Sequence, residues 1–179
     1  MNRLKEKYNK EIKKALQEEL GVKNIMEVPK VIKVVVNSGI GDFRTDKAAV
    51  EMFTEELANI TGQKPVSRKA RLSEAGFKIR KGDLVGLSVT LRGDKMWTFL
   101  DKLISLAIPR VRDFRGLSEK AFDKAGNYSI GIKEHTIFPE VNQNVTKGIR
   151  HLQVTIVTKA RNKKESEKLL RAIGLPLRK

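Results

Sequence analysis

The sequence predicts an α+β fold: an antiparallel or mixed sheet of about five strands, helices on one face, and an open face left for a ligand. Three observations carry this. Short β-rich runs alternate apolar and polar residues, the period of a half-buried strand. Stretches with apolar residues at helical spacing lie between them. The polar members of the strands (Lys33, Asn37, Ser88, Thr90, Arg92, Gln153 and Thr155) make one face too polar to bury under helices. Residues 1–179 are expected as a single domain with extended basic loops.

The elements follow in order. Asn2 to Leu20 spaces Leu4, Tyr8, Ile12, Ala15 and Leu16 along one side of a helix, and Gly21 is a plausible stop. Pro29 precedes a strand in which Ile32, Val34 and Val36 point one way and Val31, Lys33, Val35 and Asn37 the other. Ser38-Gly39-Ile40-Gly41-Asp42 then invites a dinucleotide-binding reading, but arginine (Arg44) fills the third glycine position, so a glycine-bent loop is the better account. Asp46 to Ile60 is a helix with Ala49, Met52, Phe53, Leu57 and Ile60 as its stripe. Lys64 to Arg68 reads as a short strand, followed by a strongly basic loop. Lys64, Arg68, Lys69, Arg71, Lys78, Arg80 and Lys81 face one acid, Glu74, with Phe77 in their midst and glycines at 76 and 82 where the loop can bend. Such a loop offers phosphate and stacking contacts to RNA.

The stretch from Thr90 to Gly116, TLRGDKMWTFLDKLISLAIPRVRDFRG, organises the middle of the chain. Leu87, Val89 and Leu91 alternate with Ser88, Thr90 and Arg92 in the strand that leads into it. Gly93 turns the chain, and Asp94 is placed to cap a helix. Met96, Phe99, Leu100, Leu103 and Ala107 form the helix's apolar stripe, which Pro109 is expected to end while disfavouring helical geometry at Ile108. Arg110, Arg112 and Arg115 follow around Phe114, three guanidiniums delivered to the surface as on proteins that bind phosphate backbones. Beyond it come a loop or short helix around Phe122 and strands at Tyr128–Lys133 and Arg150–Lys159. A polar connection through Pro139 to Lys147 joins those strands, and Asn162–Ile173 is the last helix.

Composition narrows the function. Lys and Arg number 37 against 21 Asp and Glu, a formal charge of +16. That field favours polyanions, nucleic acid first and an acidic membrane surface second. The membrane reading is disfavoured, because the cations lie in loops and on a sheet face, not along one amphipathic helix. No apolar run is long enough to span a bilayer. No cysteine is present, so no disulfide or thiolate chemistry enters. His135 and His151 are not at metal-ligand spacing, and no Walker loop or nucleophile elbow occurs, so neither an enzyme nor a cofactor or metal site is expected. Two function classes remain: a structural protein that binds one structured RNA without turnover, or a basic RNA-processing enzyme or free regulatory RNA binder. Turnover, or activity outside any stable RNA assembly, marks the second.

A resemblance joins these readings. The stretch Thr90–Gly116, the run GNYSIGIKEHTIFPE from Gly126 to Glu140, and VPKVIKVVVNSGIGD from Val28 to Asp42 are similar to three signature segments of the bacterial-type large-subunit ribosomal protein family called L-five. Together they cover essentially the whole chain. The resemblance implies a structural constituent of the large subunit, cytoplasmic and in the ribosome, that holds 5S rRNA onto the 23S rRNA in the central protuberance through an open concave sheet face. It maps that contact onto Lys33, Asn37, Gln63 and Thr90, with Phe77 close by in the loop and Arg92 on the same face; Gln63 rests on the resemblance alone. It further implies that the loop spanning Arg68 to Lys81 approaches peptidyl-site tRNA through Arg68, Lys69, Arg71, Lys78, Arg80 and Lys81. The region after Pro109 and the turn Glu134 to Gln143 would lie near a protein of the small-subunit head, beside other neighbouring ribosomal proteins.

Overall fold

A computed structural model of the chain describes residues 2–142, 146 and 148–178. Gln143 and Lys147, where the expected turn and polar connection end, lie outside the described residues. The element order is the one the periodicities predict: helix, strand, helix, two strands, helix, two strands, helix. The strands are β1 (Lys30–Gly39), β2 (Val66–Lys69), β3 (Leu84–Leu91), β4 (Tyr128–Ile132) and β5 (Leu152–Lys159). They form one open antiparallel sheet in the order β2-β3-β1-β5-β4. By packing, the chain falls into two compact units: residues 1–34, 91–130 and 155–179 in the first, and 35–90 with 131–154 in the second.

The first unit holds the helices at both ends of the chain. Asn2 caps α1 (Arg3–Lys7), its side-chain oxygen accepting the N–H of Leu4 at 3.0 Å. A π turn at Tyr8–Ile12 passes into α2 (Lys13–Leu20), which Gly21 ends in left-handed geometry. The turn places Tyr8 and Ile12 inward; the Tyr8 ring stacks on Trp97 at 5.2 Å, and its hydroxyl donates to the Pro29 carbonyl at 3.1 Å. Burial pushes the Tyr8 hydroxyl up to about 12, so it stays a donor. Strand β1 departs from expectation at its start. The expected phase holds from Lys33 to Ser38, but Val31 is buried and Ile32 is 43% exposed, the reverse of the alternation.

Helix α4 (Gly93–Lys102) differs from expectation at both ends. Arg92, not Asp94, occupies the cap position; Asp94 lies in the first turn and pairs with Lys5 at 2.6 Å, which holds its carboxyl below the usual range. Pro109 does not stop the helix at Ile108. A π turn over Leu103–Ala107 leads into a 3-10 turn at Ile108–Arg110, and Ile108 is helical (φ −59°, ψ −44°). A proline ring clashes with the carbonyl four residues back. Here the Ile108 N–H bonds to Leu103 five residues back, and the widened turn makes room. Helical geometry runs on through Arg110, and Val111 is extended. Leu103, Ala107 and Ile108 are thereby all buried.

In the second unit Asp46 caps α3 (Lys47–Thr61) through the N–H of Ala49 at 3.1 Å. Ala49, Phe53, Leu57 and Ile60 are its buried stripe, and Val36, Leu87 and Val89 of the strands are buried as well. Strand β3 carries Gly86, where an added Cβ would lie 2.9 Å from the Ser38 carbonyl oxygen; only glycine lets these backbones approach so closely.

Candidate nucleic-acid interface

The less buried set of each strand forms the surface that the sequence leaves open. In the second unit Asn37 is exposed and Thr90 half-buried. Gln63, just past the α3 C-terminus, reaches the same strand: its amide Nε2 donates to the Thr90 carbonyl at 3.3 Å. Gln63 and Thr90 are thus brought together, although no periodicity pointed to Gln63. Ser88 departs from expectation. It is only 5% exposed; β2 pairs antiparallel with β3, so Val66 is its cross-strand partner and stands beside it on the same face. That register also pairs Arg68 with Gly86, and so puts Arg68 on the face of Val66 and Ser88. Gln153 is exposed on β5. In the first unit Lys33 is half-buried and Arg92 exposed, and the Ser129 and Thr155 hydroxyls hydrogen-bond at 3.1 Å across β4 and β5. Arg110, Arg112 and Arg115 are exposed there as well.

The basic loop is an ordered hairpin, tighter than a chain bending freely at two glycines. Glu74 and Ile79 exchange both backbone bonds, at 2.8 and 3.1 Å. The Lys81 N–H reaches the Ser73 hydroxyl at 2.9 Å, and the Arg80 N–H reaches the Asp83 carboxylate at 2.9 Å. Gly82 has positive φ as expected of a bend, but at the tip the left-handed residue is Lys78 (φ 52°), not Gly76. Lys69, Arg71, Lys78, Arg80 and Lys81 are exposed, as are Leu72 (81%) and Phe77 (75%). Phe77 stands in this loop and presents its ring outward.

Sequence reasoning missed the brace of this loop. Arg44, the residue that spoiled the glycine fingerprint, donates to the carbonyls of Phe77 (3.2 Å) and Lys78 (2.6 Å). Its signal was present only as an arginine where a glycine was expected. Also missed was a buried network around His135. Its ring is fully buried, Nε2 lies 3.2 Å from Glu56, and Nδ1 accepts the Arg150 N–H at 3.1 Å. Thr146 donates to the other Glu56 oxygen at 2.5 Å. Phe53 meets the imidazole edge-on at 5.7 Å, and the Arg150 guanidinium sits 3.6 Å over Phe43. The Arg150 donor fixes Nδ1 as an acceptor, so the ring's proton is on Nε2 and points at Glu56. This is a packing arrangement, with no nucleophile or substrate cleft.

Among the described residues no group of His, Asp and Glu could hold a metal ion, and no helix is long and apolar enough to cross a membrane. What the geometry offers is cations, amides and hydroxyls on a sheet face and in two loops, a set suited to phosphate and ribose.

Comparisons with known proteins agree. Residues 24–80 match the model of the family described as Ribosomal protein L5, and residues 84–177 match the model of the same ribosomal family's C-terminus. The chain is 50% identical over 176 residues to the large ribosomal subunit protein uL5 of Anaeromyxobacter sp., covering 98% of each chain. It is 51% identical over 178 residues to the protein of the same name from Rubrobacter xylanophilus, covering 99% of each. With both family models and near-complete relatives in accord, the chain belongs to the ribosomal protein L5 family, uL5, of the large ribosomal subunit.

Proposed function

We propose that this ribosomal protein, a structural component and not an enzyme, binds 5S rRNA and helps attach it to 23S rRNA in the central protuberance. The RNA surface is the open side of the sheet, with Lys33, Asn37, Gln63, Thr90 and Arg92 as its contacts and Phe77 beside them. The hairpin loop, through Arg68, Lys69, Arg71, Lys78, Arg80 and Lys81, meets peptidyl-site tRNA. The loop after Pro109, with Arg110, Arg112 and Arg115, and the turn beginning at Glu134 lie toward the small-subunit head and its protein. The site of action is the ribosome, in the cytoplasm. The observation that carries this reading is the open sheet face. Asn37 and Thr90 sit on strands that bury Val34, Val36, Val89 and Leu91, so their polar groups have a rigid support and an exposed aspect.

The test is titration of 5S rRNA with Asn37→Ala and Thr90→Ala. Removal of these two side chains, one exposed and one half-buried, should leave thermal melting within about 0.5 kcal/mol of wild type. Loss of a base or ribose contact should weaken binding by roughly 1–3 kcal/mol. Full RNA affinity in both variants defeats the assignment of this face.

A further inference from the structure

We propose that residues 175–178 form a strap that sets the arginine loop 110–116 for an RNA phosphate backbone, with Arg178 as its positioning residue. The inference rests on the reading of the chain as an rRNA-binding protein; it adds Arg178 to the loop that reading only turns toward the small-subunit head, and gives that loop an RNA strand as its partner. Helix α5 (Lys163–Ile173) ends at Gly174 in left-handed geometry (φ 105°), and Leu175, 3% exposed, anchors the turn with its N–H on the Leu170 carbonyl at 2.9 Å. The chain then runs alongside the loop. The Leu117 N–H donates to the Pro176 carbonyl at 2.8 Å, and the Arg178 N–H donates to the Leu117 carbonyl at 2.9 Å, a parallel bridge between Leu117 and Leu177.

The Arg178 side chain completes the strap. Its Nε donates to the carbonyls of Arg115 at 2.7 Å and Gly116 at 3.2 Å. Gly116 has φ 88°, and a Cβ there would lie 2.8 Å from Arg178 Cγ, so the loop backbone and the arginine stem fit only with glycine. Arg171 closes the frame from outside, donating to the Arg178 carbonyl at 3.2 Å and to Glu119 at 2.5 Å.

Charge decides what this arrangement is for. Arg178 is tied down by neutral carbonyls, so its positive charge is added to those of Arg110, Arg112 and Arg115. Asp113 is the one carboxylate within the loop. Four cations on one short loop and its strap cost repulsion in the free protein, and a polyanion relieves it. Planar guanidiniums also match phosphate oxygens in pairs, which suits an RNA backbone.

The experiment uses the full chain and Arg178→Ala, read two ways. Limited trypsin digestion follows cuts after Arg112 and Arg115. Loss of the strap should speed these cuts about tenfold while global melting is unchanged, the mark of local opening. Binding to 5S rRNA and to 23S rRNA is then measured against salt. Each phosphate contact contributes about 0.7–0.9 to the slope of log K against log salt, so an arginine that lends only its own charge lowers the slope by about one. A positioning residue takes its neighbours with it, and the slope on at least one RNA should fall by about two or more. Unchanged cleavage overturns the strap. A fall of about one or less on both RNAs overturns its role toward RNA and leaves an acidic protein surface as the loop's partner. Arg171→Gln, which cuts the outer tie and spares Arg178, covers the case in which Arg178→Ala does not fold; faster loop cleavage supports the strap, and wild-type cleavage overturns it. A wild-type protein with no salt-dependent RNA binding refutes the proposed function itself, a result distinct from any outcome of the protease arm.

Discussion

At the residue scale the buried imidazole of His135 shows how a single side chain is committed to packing. Burial is the largest cause that holds its pKa below the usual 6.5; the charge of the nearby Arg150 acts in the same direction, and Glu56 opposes. Protonation would also put a second hydrogen on Nδ1, facing the Arg150 N–H that it now accepts. The unfolded chain takes up this proton near the ordinary value and the folded chain only lower. Below about pH 6.5 the unfolded state therefore binds more protons, and stability falls as pH falls. Lowering the pH from about 7.5 to about 5.5 should depress the melting temperature, and His135→Gln should flatten that part of the profile. An equal slope in the variant would show that other groups set it. The contrast with His151 is instructive: both histidines read alike in the sequence, and His151 is exposed.

At the scale of the element, the hairpin between β2 and β3 is separable. Its hydrogen bonds close on themselves, its large side chains point outward, and Arg44 is its brace. Replacing Ala70–Arg80 by a short Gly/Ser bridge removes no buried apolar residue, and loop shortening by itself costs little. Subunits reconstituted with that variant should retain 5S rRNA and release peptidyl-site tRNA faster than wild type. Loss of 5S rRNA with unchanged tRNA retention would make the loop the 5S rRNA anchor instead. The two π turns show a different use of an element. Each widens a helix by one residue, and the one before Pro109 keeps the apolar stripe buried up to Ile108, so that the basic loop starts directly from a packed turn.

At the scale of the whole molecule, the dominant quantity is the charge of +16. Self-repulsion disfavours the compact free protein, and the same field strengthens association with RNA. A protein that neutralises some six to ten phosphates loses about a thousandfold or more in affinity between 50 and 200 mM salt, and binding to 5S rRNA should fall on that scale. A flat plot of log K against log salt would place the affinity in contacts other than phosphates.

The sequence by itself determined the element order, the polar open face of the sheet, the basic loop after β2 and the arginine loop after Pro109. Each of these is written in local period or local charge: alternation at two residues, stripes at helical spacing, and cations crowded with few acids. Tertiary structure decided what depends on neighbours distant in sequence. Asp94 had the chemistry of a cap but stands beside Lys5; Ser88 had the phase of an open-face residue but is buried beside Val66 of β2; Ile32 had the phase of the core but falls outside it. Gln63 joins Thr90, Arg44 braces the hairpin, and Arg178 lies on Arg115 and Gly116, because the fold closes loops whose ends no periodicity relates. Local pattern sets which way a side chain points along its own element, and burial depends on what other elements bring against it.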